Sequence, residues 1–232
     1  LGQVVVLSLT LIFMLLFAGR SLKFFSTLIG MALLLFLFFI LTAEHRILRI
    51  KSWWSLAQQS VLQIFPESIA SHLRVPANEE PYQIGHALNA VSNGGLFGVG
   101  FGNGTFKLGF LSEVHTDFVL AGIAEEFGFF GLLVVTLLFL FMLQRIMRIA
   151  NRSTDTTYYL FTLGIGLILA FAFLINAFGI SGLAPIKGIS VPFLSYGGSA
   201  ILASSIGIGM VLMASRKIRE ERVEGKHEEL KD

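Results

Sequence analysis

The chain has 232 residues, of which 54% are hydrophobic and 14% charged, with a mean hydropathy of +0.76. Soluble domains carry about 25% charged residues, so this composition describes an integral membrane protein and excludes an ordinary soluble fold. A net charge of +2 is too small to support a nucleic-acid partner, and the lack of cysteine excludes a disulfide framework or a Cys-ligated zinc site.

A bilayer core about 30 Å thick takes about 20 apolar residues as helix. In chain order, the segments that meet this are 1–19, 24–42, 117–142, 158–180 and 198–215. The first is not a signal peptide, because no basic residue precedes it and Arg20 follows it directly. Starting at Leu1, the chain reads as the later part of a longer protein, or as a processed or partial sequence. Basic residues in short loops set orientation. Arg20 and Lys23, then Arg145, Arg148 and Arg152, then Arg216, Lys217 and Arg219 fall on one side, which is therefore cytoplasmic. Segments 43–116 and 181–197 are then outside. The first contains Arg46, Arg49, Lys51 and Arg74, but long loops are translocated largely regardless of charge.

The expected fold class is thus an all-α integral membrane helix bundle of five spans. Residues 1–42 supply two transmembrane helices, and 43–116 form a large extracytoplasmic loop with short interfacial helices. Residues 117–215 supply three more helices, with a Gly/Pro-broken loop at 181–197, and 216–232 form a cytoplasmic tail. In the long loop, Trp53 and Trp54 suit the membrane interface. Residues 54–73 and 82–91 suggest short helices. The run NGGLFGVGFGNGT follows, with Gly at 94, 95, 98, 100, 102 and 104. It is either a flexible loop or backbone lying close to a ligand or another segment, which glycine permits. A dinucleotide fingerprint needs a βαβ unit around it, and none is plausible here.

Two polar constellations interrupt the apolar pattern. The first is the stretch from Lys107 through Glu113 and His115 to Asp117, running into a span that carries Glu125 and Glu126. Carboxylates near the middle of a bilayer cost several kcal/mol, so they line a cavity, pair, or do chemistry. Thr116 is the expected N-cap, with Asp117 in the first helical turn. At about 100° per residue, Glu125 would lie about 80° around from Asp117 and roughly 12 Å deeper, and Glu126 about 180° away. A cavity opening at Asp117 would then reach Glu125, while Glu126 would hydrogen-bond to another helix. Satisfied packing carboxylates are the plainer alternative for both. The second constellation is 185–199, PIKGISVPFLSYGGS, where Pro185, Gly188, Pro192, Gly197 and Gly198 forbid a continuous helix. Irregular backbone at membrane depth is tolerated inside protein or beside a water-filled cavity. Lys187 could meet a phosphate, and Ser195, Tyr196 and Ser199 could donate hydrogen bonds; a tight loop before the last span is the alternative. Ser195 lacks the G-x-S-x-G context of a nucleophile.

Together these stretches resemble the SEDS family of polytopic membrane proteins (FtsW, RodA and SpoVE). The resemblance rests on Gly100, Gly102, Asn103, Lys107, Leu108, His115, Thr116, Asp117, Phe118, Glu125, Glu126, Gly128 and Gly131. It rests also on Pro185, Gly188, Pro192, Phe193, Ser195, Tyr196, Gly197, Gly198 and Ser199. It implies a fold of about ten transmembrane helices, of which this chain is the second half, in the bacterial inner membrane with the site on the outer face. It implies polymerisation of lipid II into glycan strands, with inversion and with undecaprenyl pyrophosphate leaving. The essential Asp of the family's H-T-D motif maps to Asp117. Gly102-Asn103 is closer to the divisional branch than to the elongation branch. A class B penicillin-binding protein and other divisome membrane proteins are the implied partners. Ser112 and Ala172 stand where many members have Pro and Gln, and residues 54–75 have no evident counterpart.

In such a site Asp117 would accept the proton of the acceptor 4-hydroxyl, supported by Glu113, Glu125 and Glu126. Lys107, His115, Lys187, Ser195, Tyr196 and Ser199 would bind substrate. No cofactor is demanded; a divalent cation, magnesium or manganese, could offset pyrophosphate charge, although no metal-ligand spacing is evident. The competing classes are a lipid II flippase or transporter, which would keep its key carboxylates near the midplane, an elongation-type polymerase, and a scaffold that only recruits the penicillin-binding protein.

Overall fold

A computed structural model describes residues 2–19, 21–42, 82–105, 111, 114–185 and 188–229, with isolated positions between 47 and 74. The described residues form helices and no strand. In order these are α1 (Gly2–Phe17), α2 (Leu22–Leu41), α3 (Tyr82–Gly94), α4 (Val119–Ala150), α5 (Thr156–Ile180) and α6 (Gly198–Glu229). Helix α4, helix α5 and the Gly198–Glu220 part of α6 are long and apolar enough to cross a membrane. Gly2–Phe17 and Lys23–Leu35 are shorter apolar helices; a 16-residue helix such as α1 rises only about 24 Å. Large apolar side chains stand exposed along α2 and α4, among them Leu34, Phe38, Phe129 and Leu138, as on a surface whose solvent is lipid.

The bundle is organised around α5, which packs against α1, α3, α4 and α6. Half of its most apolar stretch is buried, against 17% for α4 and for α6. Small residues permit this approach, since lipid gives helices no hydrophobic drive to associate and close packing must do so. A Cβ on Gly164 would lie 2.8 Å from Met14 Sδ of α1, and one on Gly166 would lie 2.7 Å from Met147 Cε of α4. Phe139 and Phe173 stack between α4 and α5 with ring centroids 4.3 Å apart. The start of α5 is capped by Asp155, whose carboxylate accepts from Thr157 N at 2.7 Å.

Helix α4 departs from the expected span in two ways. It begins at Val119, not at Asp117, and its N-cap is Phe118, without a side-chain cap bond. Thr116 is therefore not the cap, and Asp117 lies in the turn before the helix. The helix is also broken at Gly128, where φ is 68° and ψ −166°. Buried helix ends need hydrogen-bond partners, and the glycine-rich segment supplies them from both sides. Val99 N donates to Glu125 O at 3.0 Å and Gly100 N to Glu126 O at 3.1 Å, closing the upper half-helix. Phe129 N donates to Gly95 O at 2.9 Å and Phe130 N to Leu96 O at 3.2 Å, opening the lower one. Of the two readings of this segment, the structure has backbone packed against backbone. A Cβ on Gly98 would collide with Glu126 O, and one on Gly128 with Gly98 N.

The two long connections meet at one end of the bundle. Trp53 Nε1 donates to Gly182 O at 2.7 Å, and Tyr196 N donates to His115 O at 2.7 Å.

Candidate active site

The turn before α4 is held by its backbone. Three consecutive carbonyls each accept a hydrogen bond from the far side of the sequence. His115 O accepts from Tyr196 N at 2.7 Å. Thr116 O accepts from Ser195 Oγ at 2.5 Å. Asp117 O accepts from Asn176 Nδ2 at 2.7 Å, and the same nitrogen donates to Ile189 O at 2.6 Å. The irregular segment 188–196 thus forms a strap over the turn. The strap is fixed internally by Val191 N donating to Ser195 Oγ at 2.7 Å. These bonds explain why the chain stays out of helix until Val119: the carbonyls of 115–117 are already engaged.

The arrangement leaves the Asp117 side chain half-buried. Gly188 crosses directly above it, and at φ +55° a Cβ there would lie 2.9 Å from Asp117 Oδ2. A small cavity of about 10 Å³ is lined by Asp117, Asn176, Gly179 and Gly188, with Ile175, Ile180 and Ile189 as its apolar walls.

The remaining sequence-derived candidates divide into three groups. Lys107, Glu113 and Lys187 lie outside the described residues. His115, Tyr196 and Ser199 are exposed, Tyr196 by 81%, around the junction of strap, turn and α6. Ser195 is 1% exposed, and its hydroxyl both donates to Thr116 O and accepts from Val191 N. Its geometry is that of a clamp on the turn, not of a donor to substrate.

The glutamates also differ from the helical-phase expectation. Glu125 does not line the Asp117 cavity. Its Oε1 accepts from Thr105 N at 2.7 Å, Thr105 Oγ1 at 3.3 Å and Asn93 Nδ2 at 3.3 Å. The phase argument assumed one continuous helix through both residues, and Asp117 precedes that helix. Glu125 fastens α3 and the glycine segment to α4. Glu126 is 6% exposed, with its carbonyl bonded to Gly100. Among the described residues no group of three or more His, Asp or Glu could hold a metal ion.

Sequence reasoning gave Asn176 no role. Its signal was an amide inside the otherwise apolar stretch AFAFLINAFGI. A carboxamide in a span needs a partner, and here it has two carbonyls.

The fold and this turn define a polytopic membrane protein in which an irregular segment straps a carboxylate at the end of its central helix. Within that class, the chain belongs to the FtsW/RodA/SpoVE family, described as cell cycle proteins, whose pattern it matches over residues 1–220. It is a bacterial membrane protein. It is 51% identical over 216 residues to the "Probable peptidoglycan glycosyltransferase FtsW" of Helicobacter pylori strain 26695, covering 93% of this chain and 56% of that one. It is 32% identical over 231 residues to the protein of the same name from Escherichia coli O6:H1, covering 97% and 51%. A solved structure described as "Structural coordination of polymerization and crosslinking by a peptidoglycan synthase complex" shares the fold with a TM-score of 0.59 at 23% identity, covering 89% of this chain and 53% of that one. The chain spans about half the length of the relatives it matches.

Proposed function

We propose that this chain carries the catalytic half of a peptidoglycan glycosyltransferase that polymerises lipid II during cell division. The observation that carries the reading is the three-carbonyl clamp on His115, Thr116 and Asp117. It fixes a carboxylate in a non-helical turn beside a cavity, and positioning is what a weak base requires. Relatives at 51% and 32% identity bear the matching name. In the reaction, the acceptor 4-hydroxyl attacks the anomeric carbon of the donor with inversion. Asp117 takes the hydroxyl proton, and the C–O bond to undecaprenyl pyrophosphate breaks. Lys107 and Lys187 offset the charge of the leaving group. A magnesium or manganese ion, where bound, would offset the same charge. The site faces outward from the inner membrane, and a class B penicillin-binding protein receives the strand, with other divisome proteins around it.

The flippase reading needs a carboxylate that works at membrane depth. Glu125 is the candidate, and its bonds to Thr105 and Asn93 favour a fastening role instead. The divisional assignment over elongation follows the named relatives and the Gly102-Asn103 pair. The experiment is polymerisation of labelled lipid II by the whole protein. Asp117→Asn keeps the size and most hydrogen bonding and should lower the rate by about 10²-fold or more with expression unchanged. Near-normal polymer from that variant would return Asp117 to a structural role, and no polymer from the wild type would favour the flippase or the scaffold.

A further inference from the structure

Asn176 has two polar ends in different surroundings. Nδ2 faces the carbonyls of Asp117 and Ile189 at 2.7 and 2.6 Å. Only the NH₂ end can serve two acceptors, so chemistry fixes the orientation of the amide. Oδ1 is then the other end. It is buried, it has no hydrogen-bond partner, and the residue is only 6% exposed. Buried acceptors without partners are uncommon and unfavourable, and this one belongs to a residue lining the cavity beside Asp117.

The size and chemistry of that cavity restrict what answers Oδ1. About 10 Å³ is room for about one water. Among the described residues the rest of the lining is isoleucine and glycine, and its polar side-chain groups are Asn176 Oδ1 and the Asp117 carboxylate, which both accept. A sugar hydroxyl has one proton and cannot donate to both. A water has two.

We propose that Asn176 is a positioning residue for Asp117: its Nδ2 fixes the Asp117 backbone, and its Oδ1 holds one water that donates its second proton to the Asp117 carboxylate. The inference rests on the reading of Asp117 as the base. The water joins the other contacts of Asp117 in holding the carboxylate toward the acceptor.

The test uses the full-length protein in lipid nanodiscs, with Asn176→Leu, which removes both ends, and Asn176→Ser, which keeps a donor and an acceptor at shorter reach. For Asn176→Leu, kcat for lipid II should fall about tenfold or more, with KM within about threefold. Asn176→Ser should recover part of the rate. The carboxylate stretch of Asp117 is isolated in the infrared by subtracting the Asp117→Asn spectrum. It should shift in Asn176→Leu, and in wild type it should respond to exchange of H₂O for D₂O more than it does in Asn176→Leu. Wild-type kcat in Asn176→Leu would overturn the proposal. So would a raised KM at unchanged kcat, which would make Oδ1 a substrate contact. Lowered thermal stability with an unmoved band would also overturn it, leaving a purely structural amide. The spectral arm needs no turnover. A moved band in a protein that makes no polymer would therefore sink the transferase reading and keep the positioning.

Discussion

Ser195 and Glu125 show how side chains that look catalytic in sequence can be structural by geometry. Ser195 lies in a polar motif, yet both functions of its hydroxyl are taken up by Thr116 O and Val191 N. Ser195→Ala leaves a part-buried carbonyl and a buried N–H without that partner. We expect a loss of about 1–3 kcal/mol, read as a lower thermal midpoint in detergent, together with reduced turnover because the Asp117 turn loosens. Unchanged midpoint and turnover would remove the clamp from the account. Glu125 makes the opposite case. Glu125→Gln keeps an oxygen for Thr105 N, so turnover should stay within about threefold of wild type, whereas Glu125→Ala should destabilise by about 1–3 kcal/mol. A large fall in turnover for Glu125→Gln at unchanged stability would restore a chemical role. The residue types at Asp117 and Glu125 were legible in the sequence; that Glu125 stands apart from the Asp117 cavity was not. The difference depends on where α4 starts, and that is set by bonds from residues about 60 to 80 positions further on.

At the level of elements, apolar runs of about 20 residues marked α2, α4, α5 and α6, and the stretch 82–91 marked α3, observed as Tyr82–Gly94. What single-segment periodicity could not supply was the break at Gly128. One glycine in an apolar run costs only about 1 kcal/mol in a helix and signals nothing by itself. Its meaning comes from the glycine segment 30 residues earlier, and sequence left that segment open between loop and packed backbone. Gly98→Ala tests the packing. At φ +81°, with the Cβ directed at Glu126 O, we expect a loss of about 2–4 kcal/mol, measured as poor yield of folded protein and a lowered midpoint. Gly102→Ala is the control, since a Cβ there meets nothing within 4 Å and only its positive φ opposes the change. Equal tolerance of both would argue against the spliced geometry.

For the whole molecule, 14% charged residues against about 25% in soluble domains pointed to a membrane protein, and the apolar runs made it a helix bundle. The two long connections pair at one end, through Trp53–Gly182 and His115–Tyr196. Sidedness is a separate matter and has a direct test. Cysteines at Ser112 and Lys187 should react with an impermeant thiol reagent added to the outer face of intact membranes, and a cysteine at Ser153 should not. The reverse labelling would invert the bundle.

The break in α4 also decides what Asp117 is mechanically attached to. The longer section of α4 starts after Gly128, whereas Val119–Phe127 is joined across its lower end to residues 99 and 100. The carboxylate is therefore suspended from a short tether between the glycine segment and the strap, not planted on a rigid post through the bilayer. Thinning or tilting that acts on the lower section of α4 reaches Asp117 through the glycine segment, which is bonded to both sections, and through the packing on α5, whose Asn176 holds the turn. The carboxylate thus follows the placing of two stretches of chain, near 98 and near 190, as much as the lean of its own helix.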